Sequence, residues 1–281
     1  MNLLGKLQEA TQPAVAPLCL DPLMARIAEQ AGFNMGYVSG GALGYSYGVS
    51  EALLSMTEIA DVTRRITQRC GLDIIVDVGV GFGDAVHTAR AVWELQQAGA
   101  AGIELEDQVA PKRVSHHRGI EHLVDVGYMQ EKITEAAAAR SSDDFLIIAR
   151  TGAVKNESFD HALDRLHAYH AAGADVLMLM PESDDHVAAA RANLSAPLAT
   201  ITSMDHAHKP RWRDSGWNLI IDPFTAQVLS VQAVQQAYTA FTRDGSSGAD
   251  LRALFETYNV LDEMAGLSEL YAIEDRTTER E

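Results

Sequence analysis

The chain has 281 residues, 47% of them hydrophobic, with 22 Lys and Arg set against 39 Asp and Glu for a formal net charge of −17. That balance argues against nucleic-acid binding, which needs clustered cations to neutralise phosphates, and no apolar run is long enough to span a bilayer. Its two cysteines, Cys19 and Cys70, lie far apart without CxxC spacing, which excludes a disulfide scaffold or zinc finger and predicts a reduced, cytoplasmic protein without a signal peptide.

Taken in chain order, short apolar runs cover residues 14–20, 35–39, 74–77, 102–106, 145–150, 176–180, 197–202 and 219–222. They are rich in Val, Ile and Leu and lack polar alternation, as parallel strands buried on both faces do. Helical patterns lie between them at 57–69, 85–98, 128–140 and 159–172, with Gly99 and Gly173 just past two helix ends. Strand runs alternating with helices predict a TIM-type (β/α)₈ barrel over about 13–243, within a single domain of residues 1–281. A doubly wound sheet is the alternative. The link at 200–216 is irregular, with room for a short helix. Residues 249–265 form an extra amphipathic helix, expected to pack on a neighbouring subunit and make a homo-oligomer. The charged stretch 274–281 reads as a frayed tail.

In such a barrel the functional groups sit at the carboxyl ends of the strands. There the sequence places Ser39-Gly40-Gly41 after the second run, Asp77 after the third, Glu106-Asp107 after the fourth and Arg150 after the fifth. Carboxylates on neighbouring strands converge and invite a divalent cation; Mg²⁺, which takes one or two carboxylates and keeps its waters, suits Asp77 and Glu106. Mn²⁺ is the other candidate. Arg150 offers a planar fork for a substrate carboxylate. The glycines leave backbone N–H groups open to an anion. Asp77 could instead cap the following helix, and Glu106 with Arg150 could be a buried ion pair.

Other motifs are weaker. Gly79-x-Gly81-x-Gly83 is one residue short of a dinucleotide fingerprint and reads as a loop. His116-His117 and His206-x-His208 lack the helical spacing of a zinc site and read as loop histidines.

Together these residues resemble the isocitrate lyase/phosphoenolpyruvate mutase superfamily, over about residues 4–231. The likeness rests on Tyr37-Val-Ser-Gly-Gly41, Asp77 with Gly81-Phe-Gly83, Ala98-Gly-Ala-Ala-Gly-Ile103, Glu106-Asp-Gln108, Pro111-Lys112, His116, Ala149-Arg-Thr151 and Ala172-Gly-Ala-Asp175. The branch most similar is that of the 2-methylisocitrate and dimethylmalate lyases. The resemblance implies a tetramer with its C-terminal helix swapped between subunits, Mg²⁺ as cofactor, and chemistry through the enolate of pyruvate or a similar 2-oxo acid. It implies Asp77 and Glu106 at the metal, with Glu51 and Asp107 behind them. Ser39, Gly40, Gly41, Arg150, Ser115 and Thr202 would contact substrate, and Lys112, His116 and Arg150 would act in catalysis.

The departures from that branch are informative. Its mobile loop carries a cysteine acid where this chain has Val114, and valine cannot transfer a proton. An Asp-x-Asp pair becomes Asp77-Val78-Gly79, and Ala-Arg-Thr-Asp becomes Ala149-Arg150-Thr151-Gly152. Met180 and Val228 stand where a Glu and an Arg are usual, and Ser50-Glu51 replaces Pro-Asp. Lost distal charge argues against a tricarboxylate. The sequence therefore predicts a Mg²⁺-dependent lyase or decarboxylase acting on a 2-oxo acid or substituted malate, with His116 or water as proton donor. Chemistry at a C–P bond of a phosphonopyruvate-like acid is one alternative, and a non-catalytic small-acid binder the other.

Overall fold

The computed structural model describes residues 2–279. Contacts divide the chain into two compact units, Met1–Thr225 and Ala226–Glu281. The division falls at the start of the helix after the last strand, where a single domain with a barrel to about residue 243 was expected.

The first unit is an eight-stranded sheet, entirely parallel: β1 Ala14–Pro17, β2 Met35–Val38, β3 Asp73–Asp77, β4 Gly102–Glu106, β5 Leu146–Arg150, β6 Val176–Met178, β7 Leu198–Ile201 and β8 Leu219–Asp222. From β2 to β8 each strand pairs with its sequence neighbour, and β8 pairs with β1. The ring closes through a single bridge from Leu18 to Tyr37, where the Cys19 amide donates to the Tyr37 carbonyl at 2.8 Å. The structure thus chooses the barrel over the doubly wound sheet.

Strand side chains alternate between two layers, as a period of two requires. Ile74, Val76, Ile103, Leu105, Ile147 and Ala149 face the helices. Met35, Ile75, Leu146, Ile148, Met178 and Ile221 fill the barrel interior. A helix that the apolar runs do not reveal, Leu3–Glu9, inserts Leu3 and Leu7 into that interior cluster. It closes the amino-terminal end of the barrel, with Asn218 donating to the Leu7 carbonyl at 2.9 Å. The opposite end is left for chemistry.

Helix starts follow local sequence. Asp84 caps Ala85–Gln97, Ser158 caps Phe159–Ala171, and Ser55 with Glu58 forms a capping box for Met56–Thr67. The irregular link after β7 holds two short helices, Met204–Ala207 and Pro210–Arg213.

The second unit is helical: Thr225–Asp244, Leu251–Ala265 and Leu267–Thr277. None of these helices has a buried residue. The expected frayed tail is corrected in part. Residues up to Thr277 are helical, because Gly266 at φ 74° ends one helix and lets the next begin. Arg280 and Glu281 lie outside the described residues.

Candidate active site

The site grows from strand parity. Asp77 lies two residues beyond Ile75, Glu106 two beyond Glu104, and Arg150 two beyond Ile148, so all point into the barrel mouth. Register brings them level, with Asp77 opposite Glu104 and Glu106 opposite Arg150. A cavity of about 150 Å³ opens on the Asp77 side of that mouth, lined by Gly40, Glu51, Asp77, Gly79, Phe82 and Lys112 among others but by neither Glu106 nor Arg150.

Lys112 reaches into it from the loop after β4. Its Nζ stands 2.6 Å from Glu51 Oε1 and 2.5 Å from Glu106 Oε1. The ammonium occupies the point on which these carboxylates converge. His116 Nε2 lies 2.5 Å from the same Glu51 oxygen. Asp77 accepts from the amides of Gly40 at 3.0 Å and Gly79 at 2.8 Å. Gln108 donates to Glu106 Oε2 at 3.0 Å. Arg150 Nη1 is 3.2 Å from Glu104 and 3.6 Å from Glu106, while its Nη2 is 3.7 Å from Glu121. Arg150 Nε is buried without a hydrogen-bond partner among the described residues.

Carboxylates outnumber cations here: Glu51, Asp77, Glu104, Glu106 and Glu121 surround Lys112, Arg150 and His116. The imbalance shows in how protons are held. Burial, then the charges of Glu104 and Glu51, push the Asp77 carboxyl up to about 7. Burial raises Glu106 too, but Lys112 and Arg150 outweigh it and hold that carboxyl below the ordinary range. Glu51 is pulled to about 2, its burial overcome by His116 and Lys112. Burial lowers the proton affinity of His116, but the bond to Glu51 reverses this and raises it.

This environment fits a divalent cation. An ammonium already stands at the focus of two carboxylates, and a third, Asp77, is destabilised for want of positive charge. No cluster of three or more His, Cys, Asp or Glu with metal-holding geometry forms among the described residues. Mg²⁺ needs only one or two carboxylates, its waters completing the octahedron.

The remaining expected residues scatter. Ser39 is buried and caps the Gly40–Tyr47 helix through its hydroxyl. Gly41 abuts Glu51. Ser115 is partly buried on the 3₁₀ turn Val114–Arg118. Thr202 pairs with His206 at 3.4 Å and is not part of the cavity lining. Asp107, expected behind the metal, points away: it accepts from Thr151, Gly152, Arg165 and Tyr169 on the helix side of the barrel. A residue adjacent to Glu106 on a strand end must face the other way. Asp77 does not cap the helix that follows β3; Asp84 does. Glu106 and Arg150, for which a buried ion pair was the alternative reading, do approach each other, at 3.6 Å. Gly79, Gly81 and Phe82 all have positive φ in a tight loop, not a dinucleotide cradle. Met180 is partly buried beyond β6, and Val228 is 46% exposed on the Thr225–Asp244 helix.

The sequence reading passed over Glu104, Tyr37 and Glu121. Glu104 is completely buried and accepts from the Tyr37 hydroxyl. Its signal was available: glutamates two apart on a barrel strand share its inner face.

Comparison with known proteins adds to this geometry. The family model described as phosphoenolpyruvate phosphomutase matches residues 4–242. The 2,3-dimethylmalate lyase of Eubacterium barkeri is 31% identical, over 98% of both chains. The oxaloacetate decarboxylase of Rhodopseudomonas palustris (strain BisA53) is 32% identical, over 86% of this chain and 87% of that one. Among solved structures, phosphonopyruvate hydrolase in complex with oxalate and Mg²⁺ superposes with a TM-score of 0.84 at 27% identity, over 99% of this chain and all of the other.

Proposed function

This chain belongs to the phosphoenolpyruvate mutase/isocitrate lyase superfamily, and on that premise we propose that it is a Mg²⁺-dependent lyase or decarboxylase acting on a small 2-oxo acid or substituted malate through a pyruvate-type enolate. The observation that carries the reading is a cavity of about 150 Å³ in which buried carboxylates exceed cations. A void near that size holds a benzene-sized guest, roughly six heavy atoms. That is room for a pyruvate or oxalate unit.

Asp77 and Glu106 are the residues that would hold the cation, with Glu51 behind them. When bound, the cation would act as a Lewis acid on the 2-oxo oxygen, where negative charge grows as the C–C bond breaks. The chain's own residues do the rest. Arg150 presents an Nε–Nη2 edge with no close hydrogen bond, the shape that receives a carboxylate side-on. Lys112 keeps its proton firmly, because Glu106, Asp77 and Glu51 outweigh the cost of its burial. It adds fixed positive charge beside the developing enolate. His116 is the loop's proton donor in this reading, since Lys112 does not release its proton and Val114 has none to give and is 56% exposed. A cytoplasmic setting and a homotetramer belong to the same reading; exposed apolar side chains along Leu251–Ala265 support self-association.

The likeness to phosphonopyruvate hydrolase supports a second reading, cleavage or rearrangement at a C–P bond. A panel of oxaloacetate, substituted malates and phosphonopyruvate, followed by pyruvate and phosphate release, separates the two. Mg²⁺ with oxalate, an enolate mimic, is expected to raise the melting temperature, because a ligand that binds only the folded state stabilises it. An unchanged melting temperature at saturating oxalate and Mg²⁺ sinks both readings.

A further inference from the structure

Glu121 stands in a place that only a missing side chain makes available. It lies beyond the 3₁₀ turn Val114–Arg118, on the loop that also carries Lys112 and His116. Its carboxylate enters the space above Gly152, and a Cβ built on Gly152 would overlap Glu121 Oε2. Asn156 steadies the entry: its Oδ1 accepts from the Glu121 amide at 3.1 Å, and its Nδ2 donates to Glu121 Oε2 at 3.4 Å. The other carboxylate oxygen, Oε1, faces Arg150 Nη2 at 3.7 Å. The side chain of Glu121 is only 16% exposed.

Arg150 is engaged unevenly. Nη1 is taken by Glu104, whereas Nη2 has only the long approach of Glu121 and Nε has no hydrogen-bond partner among the described residues. The edge best shaped for a substrate carboxylate is therefore the edge at which Glu121 waits. We propose that Glu121 is an internal competitor for the substrate anion: its carboxylate faces the Nη2 edge of Arg150, and an incoming carboxylate displaces it from above Gly152. Because Glu121 belongs to the loop, that displacement removes the loop's tie to the β5 end of the barrel and leaves those of Lys112 and His116 in place. Anion binding and release of that tie are then one coupled equilibrium. Glu121 also sets specificity. An acid bearing a further carboxylate on that side would meet this negative charge instead of a free cation.

The inference rests on Arg150 being the anion-binding group of the proposed site, so the test measures that separately. The probe is oxalate with Mg²⁺, read by calorimetry, alongside the rate of tryptic cleavage at the exposed Arg113 and Arg118. Arg150→Ala is expected to abolish oxalate binding; if it binds as the wild type does, the site reading itself fails. Glu121→Gln removes the charge and keeps the shape. It is expected to tighten oxalate binding roughly tenfold, about 1.4 kcal/mol, and to speed loop cleavage without oxalate. Gly152→Ala pushes the carboxylate out and should do both as well. In a Glu121→Ala background, Gly152→Ala should add nothing, since the group it displaces is gone. Oxalate affinity that falls or stays level in Glu121→Gln, with Arg150→Ala still inactive in binding, overturns the inference and leaves the site reading standing. Additive effects in the double variant overturn it too.

Discussion

A side chain at position 40 would meet two carboxylates. A Cβ there would stand 3.1 Å from both Asp77 Oδ2 and Glu51 Oε2. The glycine lets two carboxylates approach the backbone and one another, and its amide holds Asp77 in place. Gly40→Ala must push at least one carboxylate aside. It is expected to lose most of the Mg²⁺-dependent thermal shift with oxalate while circular dichroism stays native. A full shift in the variant would show that the carboxylates need not sit so close. Asp77 and Glu106 also illustrate what divided environments do to like groups. Burial acts on both, but Lys112 and Arg150 lie on the Glu106 side, so one carboxyl rises and the other falls. Replacing Glu106 by Gln removes the negative charge that faces Lys112 and Arg150 and turns one of its two acceptor oxygens into a donor. Turnover of any substrate found should fall by at least a hundredfold, the scale on which removing a transition-state charge contact acts. A rate within a few-fold of wild type would remove Glu106 from the chemistry.

At the scale of elements, β4 shows what is legible and what is not. Its apolar composition and its charged end are readable in the sequence, and so are Asp77 and Arg150 at the ends of β3 and β5. Parity explains the misplacement of Asp107: it reads as part of the Glu106 cluster, yet it faces the helices and ties Thr151, Arg165 and Tyr169 together. Glu121 is illegible for a different reason. Its role depends on the path of an irregular loop and on an absent side chain at 152, neither of which has a periodicity to read. The Val126–Ala139 helix hides another such residue. Lys132 is 1% exposed and donates from Nζ to the Val80 carbonyl at 2.5 Å, under the loop that carries Gly79 into the cavity. Burial lowers its proton affinity to about 8 from the ordinary 10.5. Below about pH 8 the folded and unfolded chains both hold this proton; between about 8 and 10.5 only the unfolded chain does. Unfolding then takes up a proton, so this group makes stability rise with pH across that window. Denaturation midpoints of the wild type should therefore gain on those of Lys132→Met between pH 8 and 10.5. Parallel curves for the two proteins would mean the lysine is not buried as described.

For the whole molecule, charge and apolar surface pull in opposite directions. Each copy carries a net charge of −17, which repels other copies. Against that, the second unit exposes Leu251, Leu254, Phe255 and Tyr258 along one helix and Leu270, Tyr271 and Ile273 along the next. The Thr225–Asp244 helix exposes Val231, Tyr238 and Phe241 besides. Isolated exposed apolar residues are ordinary, but continuous stretches of this kind are usually covered in solution. Self-association is the expected outcome, driven by apolar burial and opposed by like charge. Salt screens the opposition over about 10 Å at 0.1 M and leaves the apolar term in place. The oligomer should therefore tighten as salt rises from low to moderate concentration, as sedimentation velocity would record. Phe255→Asp with Tyr258→Asp should shift the chain to smaller species and leave the barrel folded, because neither side chain is buried in a single copy. A wild-type chain that sediments as a monomer at every salt concentration would remove the homo-oligomer from the proposal without touching the chemistry at Asp77, Glu106 and Arg150.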